Sequence, residues 1–302
     1  MMRKMQLGMH TYTLHLWGFG QTWFSQSHEK VFGLMELMDK AREWGLDGLH
    51  ITPRDLEHLD DPWLEKIAQG AKERGLYLEL NFARDCECDA MINIPLKQAA
   101  YISHKIGADI AKYSMDIRRK PPLYGSSMQA TVMRQLADIH DDILEALPEF
   151  EKYGVSLAVE NHTETFADEV LWLVNAIDHP LVKTCVDTVN SMGVLEGPEI
   201  AIAKLAPLAI CCHFCDHKWD RDSYGARFHG MALGEGDMNC PKMLDQLRRD
   251  APLLHRINFE IEYDQGDDSL EVAREKQMDA CIRSITYCRD VLQIGREDER
   301  IA

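Results

Sequence analysis

The chain has 302 residues, 45% of them hydrophobic, and sets 33 Lys and Arg against 50 Asp and Glu for a formal net charge of −17. That length buries a full core in one α/β unit spanning residues 1–302, and the negative surplus repels nucleic-acid phosphates and anionic lipid surfaces. Nucleic acid and membranes are therefore not expected partners. The nine Cys form an odd count, and Cys185, Cys211, Cys212 and Cys281 sit in apolar runs, which reads as reduced thiols of a cytoplasmic protein. Cys86 and Cys88 are too close together for a zinc-ribbon pair. Met1 to Met5 carries positive charge with no apolar block after it, so no secretory leader is expected, and no window reaches the roughly 18 apolar residues of a membrane span.

In chain order, short apolar or alternating runs recur, each followed by a segment of helical periodicity. Gln6 to Tyr12 reads as the first strand and Phe32 to Trp44 as its helix, stopped by Gly45. A second strand ends near Thr52, and a helix over Asp60 to Arg74 opens on an Asp cap with Pro62 in its first turn. Leu76 to Asn81 and Asp109 to Tyr113 are the next strands, with helices over Pro95 to Ile106 and Met133 to Tyr153. Strands then follow at Val155 to Glu160, Leu181 to Asp187, Leu208 to His213 and Arg256 to Glu262. The helices among and after them are Asp168 to Ile177, Pro198 to Leu205, Pro241 to Arg249 and Ser269 to Leu292. About eight strand–helix units are the number a closed (β/α)8 barrel needs. A doubly wound sheet lacks its signature, because no Gly-x-Gly-x-x-Gly follows the first strand.

Four late strands end in polar side chains. Glu160 closes one, with Asn161 and His162 after it; Asp187 closes the next; His213 the third; Glu260 and Glu262 fall two apart on the last. At the carboxyl-end mouth of a barrel, three anions beside one imidazole repel one another unless a cation sits among them. The set Glu160, Asp187, His213 and Glu260, with Glu262 either a further ligand or a bystander, is therefore a candidate site for one divalent metal ion, with Mn²⁺, Mg²⁺ or Co²⁺ favoured by the oxygen-rich donors and Zn²⁺ also admissible.

The stretches Val159 to His162, Val186 to Asn190, His213 to Asp216, Ala232 to Asp237 and Phe259 to Glu262 resemble the xylose isomerase-like barrel superfamily, in order and spacing over nearly the whole chain. The resemblance to its ketose 3-epimerases implies a (β/α)8 fold, Glu160, Asp187, His213 and Glu260 as metal ligands, and Glu160 and Glu260 as the acid/base pair. The chain departs from that pattern at Asn190, where those epimerases have His, and in Asp216 to Trp219, where no Arg stands at the substrate-binding spacing.

Around these residues the sequence nominates a substrate-binding set. His10, Tyr12, His15 and Trp17 follow the first strand, with Trp17 and Trp23 offering either an aromatic face to a sugar or rim packing. Lys112 ends the fourth strand and suits a carboxylate or keto oxygen. His162 is a candidate acid or base. The segment Asp216 to Asp237 reads as a long loop, either closing over the site or solvated, and holds His217, Lys218, Arg221, Tyr224, Arg227 and His229. The activity these residues indicate is a metal-dependent isomerase or epimerase of a keto sugar or keto sugar acid. The alternative is a lyase, decarboxylase or dehydratase, of a 3-oxo sugar acid. A DNA-repair endonuclease on the same barrel is disfavoured by the acidic charge, and a non-catalytic sugar-binding barrel by the intact ligand set. A homo-oligomer is expected from the resemblance.

Overall fold

The computed structural model describes residues 4–22, 27–119, 126–223 and 225–295; Trp23 and Tyr224 lie outside them. Eight parallel strands close into a barrel: β1 (Gln6–His10), β2 (Gly48–Ile51), β3 (Tyr77–Ala83), β4 (Ile110–Ser114), β5 (Ser156–Glu160), β6 (Val182–Asp187), β7 (Ala209–Phe214) and, last in the chain, β10 (Arg256–Phe259), which pairs with both β7 and β1. Between β7 and β10 an antiparallel hairpin, β8 (Asp216–Asp222) and β9 (Gly225–Met231), stands apart from the barrel. The helices are α1 (Leu34–Glu43), the single turn α2 (Pro53–Leu56), α3 (Asp61–Arg74), α4 (Leu96–Ile106), α5 (Ala130–Tyr153), α6 (Ala167–Ile177), α7 (Pro198–Leu205), α8 (Cys240–Asp250) and α9 (Leu270–Asp290). This is the expected (β/α)8 architecture.

Local chemistry sets the helix ends. The Asp60 carboxylate accepts from Trp63 N at 3.2 Å to open α3, and Gly75 closes it at a φ of 67° that a side chain would resist. Asn239 and Ser269 cap α8 and α9 in the same way. The apolar stripes of the helices pack on the outward side chains of the strands, for example Leu37, Met38 and Ala41 of α1 with Leu49 and Ile51 of β2 in one continuous core.

Inside the barrel the alternation of strand side chains brings polar groups inward. The floor is filled by one ring. Gly8, Gly48 and Tyr77 are register neighbours, and a Cβ on Gly8 or Gly48 would meet the Tyr77 side chain at 2.1 and 2.4 Å. The Tyr77 hydroxyl donates to Asn258 Oδ1 at 2.8 Å. Register also aligns His10 with His50 and His50 with Glu79, and aligns His213 with both Asp187 and Asn258.

Three expectations change. β1 stops at His10, with Tyr12 N 3.3 Å from its Nδ1, and Thr11–Trp17 turns into a 3₁₀ segment. The last barrel strand stops at Phe259, short of Glu262. The stretch expected as a loop after His213 is the β8–β9 hairpin, because Asp216 to Asp222 and Gly225 to Met231 pair residue by residue although their side chains are largely exposed.

Candidate active site

The strand ends meet in a cavity of about 130 Å³ at the carboxyl end of the barrel. Its wall includes Glu160, His213 and Glu260, with His10, Tyr12, Lys112, His162 and Asn190 from the sequence-nominated set. Asp187 lies beside it: His213 Nδ1 is 2.9 Å from Glu160 Oε1, 3.1 Å from Glu260 Oε2 and 3.9 Å from Asp187 Oδ2. All four residues are buried.

Each is held from its own strand. Val189 N and Asn190 N donate to Asp187 Oδ1 at 2.8 and 2.7 Å, and the Asn161 amide clamps the Asp187 backbone, accepting from its N at 2.9 Å and donating to its O at 3.0 Å. This turns Asp187 Oδ2 toward His213. Lys112 reaches up from β4 to place Nζ 2.6 Å from Glu160 Oε2 and 2.8 Å from Ser114 Oγ. His10 Nδ1 sits 3.2 Å from Glu260 Oε1, so each oxygen of both glutamates has a nitrogen neighbour.

Burial by itself raises a carboxyl pKa, and the surrounding charges then decide its direction. Lys112 and His213 outweigh burial at Glu160, and His10 and His213 do so at Glu260, holding both well below the usual carboxylate range. Asp187 goes the other way: burial, then the charge of Glu160, pushes it up to about 7. His162 is buried too, yet Glu164 and Asp116, at 2.6 and 3.1 Å from its Nδ1, hold its pKa well above the ordinary imidazole value. Burial brings His50 down to about 3, so it stays neutral.

Three buried carboxylates around one imidazole, one of them left protonatable near neutrality, form a donor set that a divalent cation fits. Glu160, Asp187 and His213 offer ligand atoms within 4.8 Å of one another.

The remaining nominees are not brought together with this set. Trp17 turns its ring onto Phe32 and donates its indole N–H to Arg274 O at 3.2 Å, packing the 3₁₀ segment after β1 against α9 instead of facing the cavity. His15 stacks behind Tyr12, ring centroids 4.6 Å apart. His217 is buried at the base of the hairpin, 3.5 Å from Glu262, which itself lines the cavity. Lys218 and Arg227 project into solvent from the two hairpin strands, since the hairpin continues away from the barrel past its first two residues.

Sequence reasoning did not find Gln21 and Thr163 on the wall, the Asp116 and Glu164 partners of His162, or His50 and Glu79 beneath the site. Nor did it single out Asn81, which lines the cavity with its side-chain nitrogen 2.9 Å from His10 Nε2. The available signal was a single polar residue inside an apolar strand: Leu49-His50-Ile51 and Leu78-Glu79-Leu80.

Residues 38–288 match the family model described as xylose isomerase-like TIM barrel. The chain belongs to this family. A curated relative, the 3-oxo-isoapionate decarboxylase of Pectobacterium atrosepticum, is 24% identical over 263 residues, covering 86% of each chain. Among solved structures, D-psicose 3-epimerase from Clostridium cellulolyticum H10, crystallised with D-tagatose, superposes with a TM-score of 0.68 at 15% identity, over 96% of this chain and 100% of that one. A xylose isomerase-like barrel from Mycobacterium smegmatis in complex with magnesium gives 0.63 at 18% identity, over 93% and 97%. At such identities the structural likeness speaks for the fold alone.

Proposed function

We propose that the chain is a divalent-metal-dependent lyase that decarboxylates a 3-oxo sugar acid. The observation that carries this reading is the commitment of both cavity glutamates: each oxygen of Glu160 and of Glu260 lies 2.6 to 3.2 Å from a Lys or His nitrogen. Carboxylates held in this way are good ligands and weak bases. Loss of CO2 from a 3-oxo acid needs no base. It needs an electron sink at the ketone and an acid to return one proton. The likeness to a decarboxylase along 86% of both chains supports the same choice.

Glu160, Asp187, His213 and Glu260 are the residues that would hold the ion, and their oxygen-rich donors suit Mn²⁺ best. When bound, it supplies a Lewis acid that polarises the ketone and its neighbouring hydroxyl. Tyr12, Gln21, Asn81 and Asn190 line the wall and bind substrate hydroxyls. The C1–C2 bond breaks, CO2 leaves, and the electron pair passes to C2 and into the adjacent carbonyl. His162, steadied at Nδ1 by Asp116 and Glu164, then protonates C2.

One observation favours the isomerase or epimerase reading instead. Glu262 lines the cavity and, among the described residues, its one ion-pair neighbour is His217 at 3.5 Å, a looser hold than that on Glu160 or Glu260 and one that suits a carboxylate taking a proton from carbon. A single experiment separates the two: NMR of the Mn²⁺-loaded protein with 3-oxo sugar acids and ketoses in D2O. The expected result is CO2 release with one deuterium at C2. Deuterium in an isomer without CO2 loss would assign the epimerase reaction, and inertness across the panel would overturn both readings.

A further inference from the structure

Beneath the cavity, two buried ring nitrogens have no hydrogen-bond partner among the described residues: Nε2 of His213 and Nε2 of His50. Both residues are buried, and an unpaired polar atom in such a place costs stability. The two rings pack edge to face, centroids 4.8 Å apart at 75°, and one ring nitrogen of each lies within 4.8 Å of the other.

Their opposite nitrogens show what each Nε2 needs. His50 Nδ1 is 3.1 Å from Glu79 Oε2, and a carboxylate only accepts, so Nδ1 carries the hydrogen. In a neutral imidazole that leaves Nε2 as a bare acceptor. Glu79 is itself fixed as a carboxylate by Arg256 at 3.2 Å and by the Asn258 amide at 2.7 Å. At His213 the roles reverse. Nδ1 is the nitrogen that faces Glu160, Glu260 and Asp187, so it is the atom that would hold an ion among those carboxylates, and the ring hydrogen would then sit on Nε2. An orphaned donor and an orphaned acceptor thus occupy the same chamber. The sulfurs of Cys185 and Cys211 are near His213, but sulfur is a weak acceptor, and the Cys211 thiol is already directed at Glu79 Oε2 at 3.5 Å.

We infer that His50 is the positioning residue for His213: Glu79 fixes the His50 tautomer, and His50 Nε2 takes the Nε2 hydrogen of His213, directly after a small ring rotation or through one water. This chain of carboxylate, imidazole and imidazole orients the ligand ring and increases its basicity toward the ion. The inference rests on the reading that Glu160, Asp187, His213 and Glu260 hold a divalent ion. It adds a residue from β2 that touches neither substrate nor ion.

The test is Mn²⁺ affinity, read from the free-Mn²⁺ EPR signal, for the wild type, His50→Leu and His50→Gln, each checked by thermal melting. His50→Leu removes the acceptor and is expected to weaken Mn²⁺ binding roughly 10- to 100-fold. His50→Gln, whose side-chain oxygen still accepts, is expected to recover part of that loss, which a purely space-filling role would not produce. Equal affinity of wild type and a folded His50→Leu overturns the inference. A wild type that binds no Mn²⁺ overturns the metal reading itself and this inference with it. Should His50→Leu not fold, ¹⁵N NMR of the wild-type histidines decides: His50 protonated at Nδ1 and His213 at Nε2 is expected, and a proton on His50 Nε2 is the contrary result.

Discussion

Asp187 carries the electrostatic cost of gathering three carboxylates at one barrel mouth. Without metal its pKa stands at about 7, against about 4 for an unfolded Asp. A raised acid pKa means that the residue's contribution to stability is intact below about pH 4 and is lost as the pH climbs through 7. In EDTA, Asp187→Asn is therefore expected to be more stable than the wild type at pH 8, by roughly 1–4 kcal/mol, and nearly equal to it at pH 4, as urea unfolding at the two pH values would show. The same variant should lose the Mn²⁺ site. Lys112 is the opposite case. It is the buried cation 2.6 Å from Glu160, and Lys112→Met leaves Oε2 of that carboxylate without its cation in the interior. Breaking a buried pair from one side costs about 3–5 kcal/mol, measurable by the same unfolding experiment. Glu160, Asp187, His213 and Glu260 were legible in the sequence because each interrupts or ends an apolar run on a successive strand. His50 and Glu79 were not, since a lone polar residue within a strand does not announce which side of the barrel it faces or what it meets across the axis.

At the scale of elements, the helices were the most readable parts. α3 was expected from Asp60 to Arg74 and runs from Asp61, because its cap, its early proline and its terminal glycine are local signals. The β8–β9 hairpin escaped because β8 is polar but for Trp219 and the alternation in β9, Ala226 and Phe228 against Arg227 and His229, is short; it is held by backbone pairing, by Asp237 Oδ2 accepting from Trp219 N at 2.9 Å and by the Asp216 carboxylate at its base. Asp216 Oδ2 accepts from Gly234 N at 2.9 Å and Gly236 N at 3.0 Å, and Oδ1 from Met238 N at 3.1 Å. Gly236 has no room for a Cβ there, since one would sit 2.2 Å from Asp216 Oδ1. Asp216→Ala strands those three amides in a part-buried turn. Amide exchange at Gly234, Gly236 and Met238 is expected to accelerate, with a stability loss of about 2–4 kcal/mol. Because His217 follows Asp216 directly and meets Glu262 on the cavity wall, the slackening should also raise KM more than it lowers kcat. Unchanged exchange at the three amides would argue that pairing between β8 and β9 alone holds the hairpin in place.

Barrel closure is what makes distant residues neighbours: β10 pairs with β1, so Leu7 lies against Ile257 and Gly8 against Asn258. The count of strand–helix units implied closure, but only the closed register reveals that the Tyr77 ring fills the floor while imidazoles and carboxylates stack above it. A barrel closed over mutually repelling anions should respond to metal as a whole and not only at its mouth. An ion that binds the folded chain alone stabilises it by RT ln(1 + [M]/Kd), about 2.7 kcal/mol at a hundredfold excess over Kd. For a unit of this size that corresponds to roughly 4 °C in Tm, and the transition should remain single because all eight strands share one closed sheet. Scanning calorimetry of the EDTA-treated protein with and without Mn²⁺ checks this. The upward shift should vanish in Asp187→Asn, in which one ligand is replaced, and persist in a surface variant such as Lys218→Ala on the outer hairpin. A shift of equal size in all three proteins would mean that Mn²⁺ acts by screening the net charge of −17 at the surface, and the buried carboxylates would then need another explanation.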